Sequence, residues 1–219
     1  MAISQEQVEA GQAVYTKSML RLYDWLVLKF SNRLIWRCPS EHILGLYNRF
    51  VTANHLDVGV GTGYFLDHCR FPSPYPRLAL LDLNPNCLEE TSRRLARYRP
   101  ERHRANVLEP IRLNIPRFDS IGLNYLLHCL PGTVRTKGAV FHHLKALLNP
   151  GGVMFGSTLL SEGVHRSAAA KRLMAFYNSK GIFTNDHDDL VGLKAALSAH
   201  LTGVNVEVVG SAALFSGWT

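Results

Sequence analysis

In the first fifty residues, Leu20, Tyr23, Val27, Phe30 and Leu34 recur at steps of three and four. That spacing predicts a helix with one apolar face, ended by Pro39. SEHILGLYNRF (40–50) reads as a second helix with Ser40 as its N-cap. From His55 the texture changes to short apolar runs separated by helical patterns. HLDVGV (55–60), RLALLDL (77–83), RANVL (104–108), FDSIGLNYLL (118–127) and GGVMFGSTLL (151–160) predict strands. The second of these is continuously apolar, as in a parallel strand covered on both faces. Helices are predicted at 63–71, at 85–98 with Pro85 in the first turn, and at 134–148, stopped by Asn149, Pro150 and Gly151. Two more are predicted at 167–181, closed by Gly181, and at 185–201, capped by Asn185 or Asp186. The end, NVEVVGSAALFSGW (205–218), gives two strands around Gly210. They are too close for a crossover helix and must be antiparallel.

Two leading helices, five β/α units and a terminal hairpin define an α/β fold. The expectation is a Rossmann-like, seven-stranded, mostly parallel sheet with helices on both faces, a C-terminal antiparallel hairpin and an N-terminal helical cap. One domain over 1–219 is expected, with the cap at 1–50 and the Rossmann-like core at 51–219. Composition agrees: 47% of residues are hydrophobic and 19% charged, which suits a packed chain and not a disordered one. The apolar segment 19–36 carries Arg21, Asp24, Lys29 and Arg33, which argue against a membrane span. The first residues lack the basic and apolar regions of a secretory signal, and the four cysteines form no CxxC pair. Reduced thiols in a cytoplasmic protein are expected, with no metal site. The net charge of +7 permits an anionic partner and identifies none.

In an open sheet of this kind, ligands bind beyond the carboxyl ends of the strands. That rim holds the Gly59–Gly61–Gly63 loop, Asp82, Asn106 and Asn124. The loop spacing is G-x-G-x-G, one residue short of the dinucleotide pattern, and Asp57 would face a pyrophosphate with like charge. No lysine and hydroxyl pair follows, so the P-loop also fails. A ligand without phosphates fits better. S-adenosylmethionine carries an ammonium that Asp57 could attract and a ribose diol that could donate to Asp82. The glycines then let the backbone pass close beneath it.

The chain here resembles the class I S-adenosylmethionine-dependent methyltransferases. The segments that carry the likeness are LDVGVGTG (56–63), LLDLNPNCLE (80–89), ANVLEP (105–110), FDSIGLNYLLHCL (118–130) and LLNPGGVMFGSTL (147–159). They stand in family order and cover about 52–158. More closely, the chain looks like the small-molecule members of bacterial and fungal secondary metabolism. The resemblance implies that Asp57, Val58 and Gly59 meet the methionine end, Asp82 the ribose, and Leu83, Asn106 and Val107 the adenine. It places Asn124 and Tyr125 beside the reactive methyl, and it puts Tyr15 in a lid where an aromatic face would stabilise the sulfonium. Many relatives carry Asp where this chain has Asn106.

His128 follows the fourth strand, where a general base could face the acceptor; a histidine packed nearby is the blander reading. His142 and His143, adjacent in a helix, point apart and read as surface or packing residues. The run Arg93, Arg94, Arg97, Arg99, Arg102 and Arg104 reads as a solvated face, with an RNA footprint as its alternative. The function expected is methyl transfer to a small apolar or aromatic acceptor by in-line displacement, with nucleic acid an unlikely partner. RNA or protein methylation, and non-reactive use of the cofactor, stand as alternatives.

Overall fold

The computed structural model describes residues 31–219. Helix α1 (Ser40–Phe50) precedes β1 (Asn54–Val58), α2 (Tyr64–His68), β2 (Arg77–Asp82), α3 (Pro85–Arg94) and β3 (Glu101–Arg104). Then follow β4 (Phe118–Asn124), α4 (Val134–Lys137), α5 (Ala139–Lys145), β5 (Leu148–Leu159), α6 (Ala168–Ser179) and α7 (Leu190–Ser198). The hairpin β6 (Thr202–Val209) and β7 (Ala212–Trp218) closes the order. The seven strands form one sheet in the order β3-β2-β1-β4-β5-β7-β6. The first five pair in parallel, and β7 pairs antiparallel with both β5 and β6.

Successive residues of a strand face opposite sides, and two apolar layers follow. Leu56, Val58, Ala79, Leu81, Ile121 and Leu123 pack with Phe141 and Leu144 of α5 and Leu193 and Leu197 of α7. Leu78, Leu80 and Phe155 pack with Ile43 and Tyr47 of α1, Leu66 of α2, Leu88 of α3 and Met174 of α6. The expected fold is present, with helices on both faces.

Several local expectations are corrected. The third strand is ERHR (101–104), not RANVL. It is the sheet edge, half wetted, so its residues alternate in exposure and Arg77 bonds Glu101 across the ladder at 2.8 Å. The apolar residues after it turn into the cleft. Ser40 does not cap α1; the N-cap is Pro39, and the Ser40 hydroxyl accepts from Asn32 Nδ2 at 3.0 Å. Helix α7 is capped by Asp189, whose carboxylate accepts from the Gly192 N–H at 2.7 Å, instead of by Asn185 or Asp186. The helix predicted over 134–148 is two short helices that meet at Gly138. Leu34 is 57% exposed and contributes no buried apolar face; the other members of that predicted stripe lie outside the described residues.

Asn185 has a different task. Fully buried, it donates from Nδ2 to the Leu159 carbonyl (2.9 Å) and accepts from Asn178 Nδ2 (2.9 Å). Next to it, Lys137 Nζ donates to Asp188 Oδ2 (2.5 Å) and to the Thr184 carbonyl (2.9 Å), all inside the protein. Burial pulls the lysine below its ordinary range and pushes the aspartate above its own, and each charge opposes the shift of the other. Removing one partner strands a buried charge. Lys137→Met should therefore cost about 3 kcal/mol in urea unfolding, and the double variant Lys137→Met/Asp188→Leu should recover most of that loss.

Candidate functional site

The carboxyl ends of β1 and β2 lie side by side, with Asp57 paired to Leu80 and Val58 to Leu81 in the parallel ladder. Asp57 is 4% exposed. Its Oδ1 accepts from the Tyr47 hydroxyl of α1 at 2.7 Å and lies 3.5 Å from His55 Nε2. Among the described residues no lysine or arginine reaches this carboxylate. Asp82 ends β2, and its Oδ1 accepts from the Asn84 N–H at 2.8 Å. Burial pushes Asp82 up to about 6, while the backbone N–H groups of Asn84, Val60, Gly61 and Leu83 hold it lower than burial alone would. A buried anion with only neutral donors favours an arriving cation or hydroxyl donor.

Between these acids the chain turns at Gly59, Gly61 and Gly63, all at positive φ (69°, 53° and 72°). A side chain at Gly59 would strike Leu126, and one at Gly63 would strike Thr91. At Gly61 an added Cβ would meet no protein atom, so its open side is space for a ligand. Thr91 of α3 braces the loop from below by donating to the Gly61 carbonyl at 3.0 Å.

Two clefts open on this loop. One, of about 750 Å³, is lined by Asp82, Leu83, Asn106, Val107 and Leu130 among others. The second, of about 540 Å³, is lined by Tyr47, Asp57, Thr62, Gly63, Tyr64 and Asn124 among others. Gly59, Gly61 and Tyr125 border both, so a single long ligand can lie across the two. Tyr125 holds φ at +53°, a conformation that costs a non-glycine residue about 1–2 kcal/mol, and sits where the clefts join. Its N–H donates to the Ser157 carbonyl at 2.8 Å.

Of the residues singled out in the sequence, Asp57, Gly59, Gly61, Gly63, Asp82, Leu83, Asn106, Val107, Asn124 and Tyr125 line these clefts. Val58 does not; it is buried in the sheet layer, because its side chain points away from the cleft. Tyr15 lies outside the described residues. Asn106 accepts from the Leu108 N–H (3.1 Å) and donates to Glu109 (2.9 Å), which makes it the brace of its own turn. His128 is buried and lines neither cleft. Its Nδ1 accepts from the Leu159 N–H at 3.3 Å, and its ring packs edge-on against Phe183. Burial, aided by the Lys137 charge, pushes it down to about 3. Such a ring takes up a proton poorly at neutral pH, which corrects the expectation of a general base.

Other placements are new. The sequence pattern places Tyr47 only within a helix; its spacing of four from Ile43, which puts both on one helical face, is the available signal. His143 takes the packing role of the two expected for it, and its Nδ1 bonds the Val107 carbonyl at 2.9 Å beside the cleft wall. The arginine run is largely tied down. Arg93 pairs with Glu90, Arg97 with Asp67, and Arg104 donates to the Leu83 carbonyl. No cluster of three metal-ligating side chains occurs among the described residues.

These features fit the adenosyl cofactor: a buried acid awaiting a cation, a second acid braced by N–H groups, and an open glycine floor between them. Comparison with known proteins agrees. Residues 56–154 match the model of a methyltransferase domain. The chain is 42% identical over 214 residues to a demethylluteothin O-methyltransferase of Streptomyces thioluteus, covering 98% of this chain and 93% of that one. It is 37% identical over 209 residues to a physcion biosynthesis cluster O-methyltransferase of Aspergillus chevalieri, covering 94% of each. Among solved structures, the DhpI–SAH complex shares the fold with a TM-score of 0.67 at 16% identity, over 99% of this chain and 98% of that chain. The chain belongs to the class I methyltransferases, and S-adenosylmethionine is its cofactor.

Proposed function

We propose that the chain methylates an acidic hydroxyl, of the phenol or enol type, on a small apolar or aromatic metabolite. The observation that carries this reading is Asp57, a buried carboxylate whose described partners are neutral and which faces a cleft continuous with that of Asp82. When bound, S-adenosylmethionine supplies an electrophilic methyl group. Asp57 would receive its ammonium, Asp82 its ribose hydroxyls, and Leu83, Val107 and Asn106 would border its adenine. Tyr125, at the junction of the clefts, would lie nearest the transferring group. The acceptor class rests on two supports. The relatives named above are O-methyltransferases by description. Apart from Asp57 and Asp82, which the cofactor would engage, no carboxylate, histidine or lysine lines the clefts among the described residues, which favours an acceptor acidic enough to shed its own proton. Catalysis then rests on holding the two reactants in line and excluding water.

No helix among the described residues is long and apolar enough to cross a membrane. The four cysteines are free thiols, and we infer a cytoplasmic setting from them. RNA is disfavoured because four of the six arginines that would form its footprint, Arg93, Arg94, Arg97 and Arg104, are bonded to neighbouring groups. The direct test is mass spectrometry of phenolic and enolic acceptors incubated with the protein and S-adenosylmethionine. Product bearing one added methyl, together with S-adenosylhomocysteine, is expected; methylation confined to RNA or protein extract would overturn the reading.

Asp82 gives a pH signature. Its pKa of about 6 in the fold lies above the ordinary 3.8, so its protonated form favours folding. That stability is full below about pH 3.8 and is lost as pH rises through 6. Binding has the opposite sign, because a diol donates to the ionised form. Cofactor affinity should climb as pH rises through 6 and level off above, and calorimetry should show proton release in that window. Asp82→Asn should bind more weakly and lose the pH step.

Tyr47 gives a second test. Tyr47→Phe removes one neutral donor from Asp57 and should weaken S-adenosylmethionine binding about tenfold, with little change in acceptor KM. Equilibrium titration and steady-state kinetics read the two quantities separately.

A further inference from the structure

Behind Asp57, away from the cleft, lies a chain of polar groups that the methyl-transfer chemistry does not use. His55 is fully buried two residues earlier on β1. Its Nδ1 lies 2.8 Å from the Ser120 hydroxyl, and its Nε2 lies 3.5 Å from Asp57 Oδ1. Ser120, on β4, also accepts from the Thr52 N–H at 3.0 Å. The Thr52 hydroxyl donates to the Asn54 carbonyl and lies 2.9 Å from Ser120 Oγ. His55 stacks on Phe155 with ring centres 5.7 Å apart, so its plane is fixed.

The proton positions follow from the charges. A bare ring lone pair 3.5 Å from a carboxylate oxygen would repel it, and a protonated nitrogen attracts it. The nitrogen facing Asp57 therefore carries a hydrogen, and the Ser120 hydroxyl can donate to Nδ1. The contact to Asp57 is longer than a hydrogen bond and acts as an oriented dipole on Oδ1, beside the bond from Tyr47. With Oδ1 occupied twice over, the other carboxylate oxygen is left for a ligand.

Gly122 shows that this space is built to hold the acid. A Cβ on Gly122 would come within 2.8 Å of Asp57 Oδ1 and within 3.3 Å of His55 Cε1. The strand beside β1 thus carries no side chain where the carboxylate and the imidazole meet.

We propose that His55 is a positioning residue for cofactor recognition: anchored by Ser120, it fixes the Asp57 carboxylate that receives the ammonium at the methionine end. The proposal rests on the assignment of Asp57 given above. It predicts a selective loss. S-adenosylhomocysteine carries the amino-acid end, and 5′-methylthioadenosine has the same nucleoside and sulfur without it. In the full chain, His55→Phe should weaken S-adenosylhomocysteine about tenfold and leave 5′-methylthioadenosine within about twofold of the native value. In an Asp57→Asn background, His55→Phe should add almost nothing, because the group it acts through is gone.

Equal weakening of both ligands, or full additivity with Asp57→Asn, would show that His55 serves folding alone and would overturn the proposal. If Asp57→Asn leaves S-adenosylhomocysteine affinity unchanged, the assignment of Asp57 itself fails, and the proposal with it. If Asp57→Asn weakens binding and His55→Phe does not, only the proposal fails. Should His55→Phe not fold, His55→Gln and Ser120→Ala report the same ratio of the two affinities. A ratio unchanged from native in both would equally reject it.

Discussion

A carboxylate buried without a cation is the constraint around which this molecule is arranged. Asp57 sits at the end of the central strand pair, 4% exposed, and its described partners are a tyrosine hydroxyl and an imidazole. Isolated buried charges are costly, and proteins accept them where a ligand completes them. The topology explains the location. β1 stands between β2 and β4, and the chain order reverses there, so a crevice opens beyond the strand ends. Helix α1 reaches that crevice through Tyr47, and β4 leaves room through Gly122.

The same constraint decides which nucleotide enters. A pyrophosphate on this loop would meet Asp57 in a site of low polarity, where like charges repel strongly. A sulfonium with an ammonium nearby meets attraction instead. Asp82 adds a second requirement, since burial raises its pKa to about 6 and hydroxyl donors would favour its ionised form. The floor shared by the two clefts is backbone at Gly59 and Gly61 and one strained tyrosine, Tyr125. Positive φ at a tyrosine persists only where the surrounding packing enforces it, and here the Ser157 carbonyl pins its N–H.

Much of this was legible in the sequence because the signals were local. The five apolar runs and the hairpin at Gly210 carry their own periodicity, and the acids stand at fixed offsets from the glycines. What escaped reading depended on tertiary partners. ERHR has no apolar pattern because an edge strand is wetted, so the apolar ANVL beside it drew the assignment. Asn185 and Asp189 are equally good caps by type; Lys137, fifty-one residues from Asp188 in the chain, anchors Asp188, and the chain makes a turn at 186–187 before the helix begins after Asp189. His128 follows the fourth strand as an acceptor-facing base would, and only the Leu159 N–H and the Phe183 ring show that it faces inward. Tyr47 serves Asp57 from a helix, and no spacing rule links the two; His55 shares the Asp57 face of β1 at a spacing of two, which reads equally well as core packing.

The loss of His128 as a base changes how the acceptor side must work. The loops after β4 and β5 are joined by buried and half-buried polar groups. Thr184 donates its N–H to the His128 carbonyl and its hydroxyl to the Leu130 carbonyl. Lys137 holds the Thr184 carbonyl from the other side, and Asn185 ties the segment to the end of β5. Leu130 and Pro131, on the cleft wall, therefore rest on a rigid polar foundation. A displacement at a sulfonium methyl depends on alignment, since a misplacement of about an ångström can cost on the order of a hundredfold. A wall braced in this way contributes to that alignment from the adenosyl side. The buried ion pair of Lys137 and Asp188 thus supports the segment on which this wall rests.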